Sequence, residues 1–233
     1  MAKPLAVSRA SGAQCRRAIA GQDPDVRTHS LTMPSRPLYL QSTHLDLVAM
    51  TLVHLEAEAS GIKDLALLLG VSPPKDWPPG HYNSETMRFF HERLAAEGVD
   101  SVGWYGWYAI RRRTALQAAA LVGVASFIGP PDESGTVELG FSVLPSLRGQ
   151  GHATEMADAL VDYALAQPSV ELVIAHASIT NRPAISVLLH SGFQAVAPGQ
   201  RPGTARFERS AKAVLAESEA EDEAESSTED DEE

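Results

Sequence analysis

The stretch Val143-Leu-Pro-Ser-Leu-Arg148-Gly149-Gln150-Gly151-His152-Ala153-Thr154 decides how this chain folds. An alternating run ends at Pro145, two glycines follow within a short turn, and helix-forming residues begin at once. Glycine lets the backbone curl so that successive N–H groups converge, and the start of a helix adds positive potential. That geometry suits a phosphate or pyrophosphate. A nucleoside-triphosphate loop requires Gly-Lys-Ser/Thr, and no lysine is near. A dinucleotide turn requires a third glycine where Thr154 stands. Arg148-x-x-Gly151-x-Ala153 matches neither, so on the residues alone a phosphate cradle and a plain strand–turn–helix connection both stay open.

Working outward, Thr136 to Leu144 alternates, with Val137, Leu139, Phe141 and Val143 on one face and Glu138, Gly140 and Ser142 on the other. Met156, Leu160 and Tyr163 mark a helix running to Gln167. Leu172 to Ala177 is apolar on both faces, as a buried parallel strand is. Pro183 suits the first turn of a helix that Gly192 stops, and a last strand lies in Thr204 to Glu208. Toward the N-terminus, Trp104 to Ile110 and Leu121 to Ile128 read as strands joined through Arg111-Arg112-Arg113 in a solvated hairpin loop. Asn83 or Ser84 opens a helix carrying Met87, Phe90 and Leu94 on one face and ending at Gly98. The loop Ser72 to Tyr82 holds four prolines and cannot be helical. Lys63 to Leu69 reads as a short helix. Before it, Ser42 or Thr43 caps a helix in which Leu45, Val48, Leu52 and Leu55 recur at helical spacing until Gly61. Leu38 and Leu40 outline a short first strand. Helices, then a hairpin, then strand–helix–strand–helix–strand is an α/β plan around one mixed sheet.

Of the 233 residues, 19 are basic and 30 acidic, and there is one cysteine. Eleven acids and no base lie between Glu217 and Glu233, equal to the whole net charge of −11, so the body is neutral. A neutral body argues against nucleic-acid binding. Cys15 alone excludes an intrachain disulfide and fits a reducing, cytoplasmic setting. The longest nearly apolar run, Leu116 to Ile128, falls short of the roughly 20 residues that span a bilayer, so no membrane partner is expected. Residues 1–36 form a basic leader, read either as disordered or as a mitochondrial presequence. Residues 37–210 form one domain, and 211–233 an acidic tail that is expected to be disordered and suits a basic protein partner or solubility. No histidine spacing suggests a metal site. Monomer and homodimer both fit.

Arg148-x-x-Gly151-x-Ala153, after a strand ending Val143-x-Pro145, resembles the acetyl-CoA signature of the GNAT N-acetyltransferase superfamily. Asn181-x-x-Ala184, followed by Gly192-Phe193, resembles that superfamily's next strand and helix at the expected spacing. Further matches resemble the subgroup of ribosomal-protein N-terminal alanine acetyltransferases: DWPP (Asp76 to Pro79), Gly103-Trp104, Trp107-Tyr108, Val122-Gly123, GPPD (Gly129 to Asp132), VELGF (Val137 to Phe141) and ATE (Ala153 to Glu155). The resemblance covers roughly Leu38 to Val196. It implies a GNAT-like α/β domain, with a mixed, mostly antiparallel central sheet and helices on both faces. It also implies an N-acetyltransferase that uses acetyl-CoA as cosubstrate and a primary amine as acceptor, either a protein or peptide N-terminus or a small amine.

The resemblance implies roles as well. Backbone N–H groups of Gly149, Gly151, His152, Ala153 and Thr154 would hold the pyrophosphate, with Arg148 and Gln150 alongside. Phe141, Ser142 and Val143 would pair with the pantetheine arm, the Val143 N–H would polarise the thioester carbonyl, and Asn181 would bond the arm. From the chemistry, an amine of pKa about 10 is mostly protonated at neutral pH, so a base is needed. Glu138 is the candidate base, on the face it shares with Gly140 and Ser142; a solvated glutamate is the other reading. Many members of the superfamily have a tyrosine seven residues after the asparagine, where Leu188 stands here, and the subgroup often has a serine where Ala184 stands. Ser186, His190 or a water are the remaining acid candidates. Trp77, His81 and Tyr82 either line the amine pocket or simply pack the loop. His176 reads as a hydrogen-bonded core residue. The alternative function is a non-catalytic module that binds acyl-CoA.

Overall fold

A computed structural model describes residues 38–199 and 201–210. The basic leader and the acidic tail from residue 211 lie outside the described residues. The alternation at Thr136 does build a strand, and it is central. Among the described residues, eight strands run β1 (Tyr39–Gln41), β2 (Leu45–Ala49), β3 (Gly106–Arg111), β4 (Ala120–Phe127), β5 (Thr136–Val143), β6 (Leu172–Ser178), β7 (Gln194–Pro198) and β8 (Thr204–Ser210). They form one sheet in the order β1-β2-β3-β4-β5-β6-β8-β7. Only β5 and β6 pair in parallel; the other neighbours are antiparallel. This is the mixed, mostly antiparallel α/β sheet that the sequence predicts.

Among the described residues, five α-helices accompany it: α1 (Leu52–Ser60), α2 (Ile62–Leu68), α3 (Ser84–Glu97), α4 (His152–Leu165) and α5 (Arg182–His190). Each face of the sheet has its own core. On the α4 face, Val137, Leu139 and Val143 of β5 meet Met156, Ala157, Leu160 and Val161, all buried. On the α1–α3 face, Leu55, Tyr82, Phe90 and Leu94 pack against Tyr108, Leu121 and Val124. Along β3 the two parities serve the two cores, Trp107 and Ala109 on the α4 side and Tyr108 and Ile110 on the other, as the pleat dictates.

The first half of one expected helix is a strand, while its second half, Leu52 to the stop at Gly61, is α1. Leu45–Ala49 is β2, held between β1 and β3, with Leu45, Leu47 and Ala49 fully buried in alternation. Period-2 burial won because both strand edges find partners, and the helical spacing of Leu45 and Val48 was accidental. The true helix start is Thr51, whose N–H donates to Nδ1 of His54 at 3.2 Å. The edge strand β7 carried no period and went unread. The arginine run is not simply solvated either: Arg112 donates to the carbonyls of Leu45 (3.0 Å) and Ser42 (2.7 Å) and to Asp46 (3.1 Å), tying down the β1–β2 turn.

Glu155, in the first turn of α4, fastens the same turn from the other side. Its carboxylate accepts from Ser42 Oγ at 2.6 Å, from the Leu45 N–H at 3.1 Å and from the His44 N–H. Burial pushes its pKa up, but these hydrogen bonds together outweigh that and hold it below the ordinary carboxylate value. A depressed carboxylate stabilises the fold above its unfolded pKa, and that contribution fades as pH falls through the lower folded value. Glu155→Ala is expected to cost about 2 kcal/mol at neutral pH, lowering the melting temperature by about 4–8 °C. Thermal scans from pH 7 down to pH 3 check this: the gap between wild type and variant closes at the acid end.

Candidate active site

The parallel pairing of β5 with β6 lasts only three residues, Thr136↔Leu172 to Glu138↔Ile174. Beyond it β5 runs on to Val143 and β6 to Ser178, so the two strands part and leave a V-shaped gap. The direction of the backbone groups along β5 follows from two bonds to the other side. The Glu138 carbonyl accepts from the Ile128 N–H and the Leu144 N–H donates to Val122. Even-numbered residues of β5 therefore bond to β4, and the N–H groups of Phe141 and Val143 face the gap. A strand edge of this kind takes an extended chain as a pseudo-strand.

The gap opens at its wide end onto the glycine turn. Gly149 and Gly151 have φ of +73° and +81°, left-handed values that glycine adopts freely. A Cβ at either would meet nothing within 4 Å, so the turn faces open space. Gly151 caps α4 with no side-chain cap hydrogen bond, which leaves the N–H groups of the first turn without a capping acceptor. Arg148 curls back to donate Nε–H to the Val143 carbonyl at 3.2 Å, and Gln150 is exposed. Ala153 and Thr154 continue the first turn. The His152 ring turns inward: it is buried and neither ring nitrogen has a partner, and burial lowers its pKa. Its contribution to the turn is its backbone N–H. Asn181 caps α5 just beyond β6, accepting from the Ala184 N–H at 3.3 Å.

The second face of β5 carries Glu138, Gly140 and Ser142, and the proline-rich loop lies over it. A Cβ on Gly80 would come within 2.5 Å of Ser142 Oγ, and Asp76 accepts from the Ser146 N–H at 3.1 Å. That bond is the main reason the Asp76 pKa is held down. Behind the loop, one buried carboxylate gathers three donors. Glu58 accepts from Trp77 Nε1 at 2.6 Å, from the Tyr82 hydroxyl at 2.7 Å and from the Tyr108 hydroxyl at 2.5 Å. Burial raises its pKa against the pull of those bonds. Of the three residues read as lining a pocket, Trp77 and Tyr82 join this cluster while His81 is exposed.

Glu138 itself is paired. Its Oε1 lies 3.0 Å from Nδ1 of His176 on β6, and the two close the narrow end of the gap. Ser186 stands apart on the exposed side of α5, with Oγ 3.4 Å from Nδ1 of His190, while Leu188 is buried in the core. No group of three or more His, Cys, Asp or Glu among the described residues is arranged to hold a metal, and no described helix is long and apolar enough to cross a membrane. A separate groove of about 560 Å³ lies beside β2 and β3, lined by Val48, Leu69, Ile110 and Arg112. It is two strands away from the gap and has no part in the site.

Sequence reasoning missed Glu58 and the partnership of His176, and it gave no role to Asp76 and Tyr108, which it quotes only within the subgroup motifs. A signal existed for Glu58, which follows Leu55 at i+3 and so shares its buried helix face. The others depend on contacts between distant segments.

The model of the Acetyltransferase (GNAT) domain family matches residues 57–194. A curated relative, an uncharacterized N-acetyltransferase YjdG of Bacillus subtilis (strain 168), is 26% identical over 154 residues, covering 66% of this chain and 88% of the relative. Among solved structures, a GNAT-family acetyltransferase from Bacillus anthracis superposes with a TM-score of 0.50 at 18% identity, covering 75% of this chain and 99% of that one. RimL, a ribosomal L7/L12 α-N-protein acetyltransferase solved with coenzyme A, gives a TM-score of 0.52 at 18% identity, covering 76% and 99%.

Proposed function

The chain belongs to the GNAT acetyltransferase family, and from that premise we propose that it is an acetyl-CoA-dependent N-acetyltransferase acting on a primary amine. The observation that carries the reading is the continuous path from the open α4 start, along the free N–H edge of β5, to the Glu138–His176 pair. Acetyl-CoA supplies an activated acyl group as a thioester. The N–H groups of residues 149 and 151–154, with Arg148 and Gln150, take the pyrophosphate, where helix dipole and converging amides favour the negative charge. The Val143 N–H, nearest the turn, bonds the arm, and Asn181 flanks it from the other side. The sequence reading gave the oxyanion contact to Val143. The thioester is the end of the arm farthest from the pyrophosphate, so that role moves to Phe141, about 7 Å deeper in the gap.

Ser142, Gly140 and Glu138 form the floor of the acceptor side, with the Trp77–Tyr82 loop as its wall. The carboxylate at Glu138 and the imidazole bonded to it provide the proton acceptor. A protein or peptide α-amine is the acceptor class favoured here, from the subgroup motifs at 76–79 and 153–155. Thiol release from acetyl-CoA by the full-length chain, with a panel of peptide, lysine, polyamine and aminoglycoside amines, tests the reading. Glu138→Gln is expected to lower kcat about a hundredfold while acetyl-CoA affinity stays within a factor of about two. An unchanged kcat removes Glu138 from the reaction. One observation favours a second reading, an acyl-CoA-binding module without turnover: Leu188 and Ala184 stand where relatives carry an acid, and Leu188 is fully in the core.

A further inference from the structure

We infer that His176, through its Nε2, is the atom that takes the proton from the incoming amine, and that Glu138 acts through it. The inference rests on the acetyl-transfer reading and names the proton's path within it. His176 sits on β6 two residues past Ile174, the last residue paired with β5, so its ring stands just inside the parting strands. It lies on the face of β6 opposite to Val173, Ala175 and Ala177, which are in the α4-side core. That is the face on which Glu138, Gly140 and Ser142 lie on β5. Nδ1 is 3.0 Å from Glu138 Oε1. A carboxylate there fixes the tautomer with the proton on Nδ1, leaving Nε2 with its lone pair.

Nε2 is enclosed, and no described residue bonds it. If the ring served only to anchor Glu138, leaving its second nitrogen buried and unsatisfied would be a cost without return. Nε2 has almost no exposed surface, so an amine arriving at the narrow end of the gap supplies the missing partner once the side chains around the ring shift. The charged groups facing the ring are few. Glu138 faces it from β5. Arg206, opposite it on β8, donates Nε–H to Glu208 at 2.7 Å, so its charge is compensated within its own strand.

The step balances within the site. The amine enters as its neutral fraction, its ammonium proton having gone to solvent; its nitrogen bonds to the acetyl carbon, the proton then shed by that nitrogen passes to Nε2, the carbon–sulfur bond breaks and the electron pair leaves on sulfur. The imidazolium is held by the Glu138 carboxylate until solvent takes its proton.

The test uses the full-length chain with acetyl-CoA and an amine substrate found in the panel. His176→Ala, His176→Gln and Glu138→Gln are compared for acetyl-CoA affinity by calorimetry and for kcat by thiol release. The expected result is near-wild-type affinity in all three and a loss of kcat of about a hundredfold or more in both His176 variants. Added imidazole should restore His176→Ala in proportion to its concentration and leave Glu138→Gln unchanged, which a packing role for the ring does not produce. Wild-type kcat in His176→Ala, or full activity in His176→Gln, overturns the inference and leaves Glu138 as the direct base. Absence of thiol release by the wild type with every amine overturns the inference together with the reading beneath it.

Discussion

Gly151→Trp is expected to abolish acetyl-CoA binding while leaving the fold intact. Gly151 sits at φ +81° with open space where a side chain would begin, so the indole starts from the surface of the turn. The local cost is the left-handed conformation, about 1–2 kcal/mol for an L-residue. The ligand loses far more, because the ring stands over the first-turn N–H groups of α4 that would receive the pyrophosphate. Calorimetry on the full-length chain should show affinity falling by a hundredfold or more, about 2.7 kcal/mol. The melting temperature should fall by only about 2–8 °C, and circular dichroism should stay close to wild type. Gly149→Ala, a small change at the same turn, is expected to weaken binding only modestly. Unchanged affinity in Gly151→Trp would remove the turn from the account.

The second large effect is expected at Glu58. Its carboxylate is the shared acceptor of Trp77, Tyr82 and Tyr108, which come from the loop and from β3. Glu58→Leu leaves three donors without their acceptor, two of them the buried hydroxyls of Tyr82 and Tyr108. Each such group costs about 1–3 kcal/mol. A total loss on the order of 4 kcal/mol follows, a drop in melting temperature of about 8–16 °C. Glu58→Gln keeps one oxygen but turns an amide N–H₂ toward hydroxyl and indole donors, so it should fall between the two. The functional consequence is separable from the structural one. The loop that Glu58 anchors packs through Gly80 on Ser142 and through Asp76 on the Ser146 N–H. Glu58→Gln should therefore raise KM for the amine by more than it weakens acetyl-CoA binding. A double-mutant cycle with Tyr108→Phe measures the pairwise energy, and additivity within about 0.3 kcal/mol would mean that the two do not interact.

The residues that reveal themselves in the sequence are those whose signal is local. The alternation of Thr136 to Val143, the glycine turn, Pro183 at the start of α5 and Asn83 at the cap of α3 each depend on neighbours a few positions away. All appear in the structure where the sequence places them. Leu45–Ala49 misleads because a five-residue segment, apolar except for Asp46, fits either period, and only its pairing with β1 and β3 decides. The gap between β5 and β6 has no local mark at all, since the strands part where a ladder fails to continue. The same holds for the Glu58 cluster, joined across 19, 24 and 50 residues, and for Glu138 with His176, 38 residues apart. Glu138 was visible as a polar residue on an alternating strand, but its partner was hidden inside a run that reads as core.

The account stands or falls on whether an acetyl group moves from thioester to amine in this molecule. The direct measurement follows thiol release from acetyl-CoA by the full-length chain in the presence of a peptide with a free α-amine, beside the same peptide with that amine blocked, and weighs both peptides by mass spectrometry. The account predicts thiol release that requires the free amine and one acetyl group gained by the peptide for each thiol formed. Tight binding of acetyl-CoA with no amine-dependent thiol release, across this peptide and the wider amine panel, would contradict it and identify the chain as an acyl-CoA-binding module.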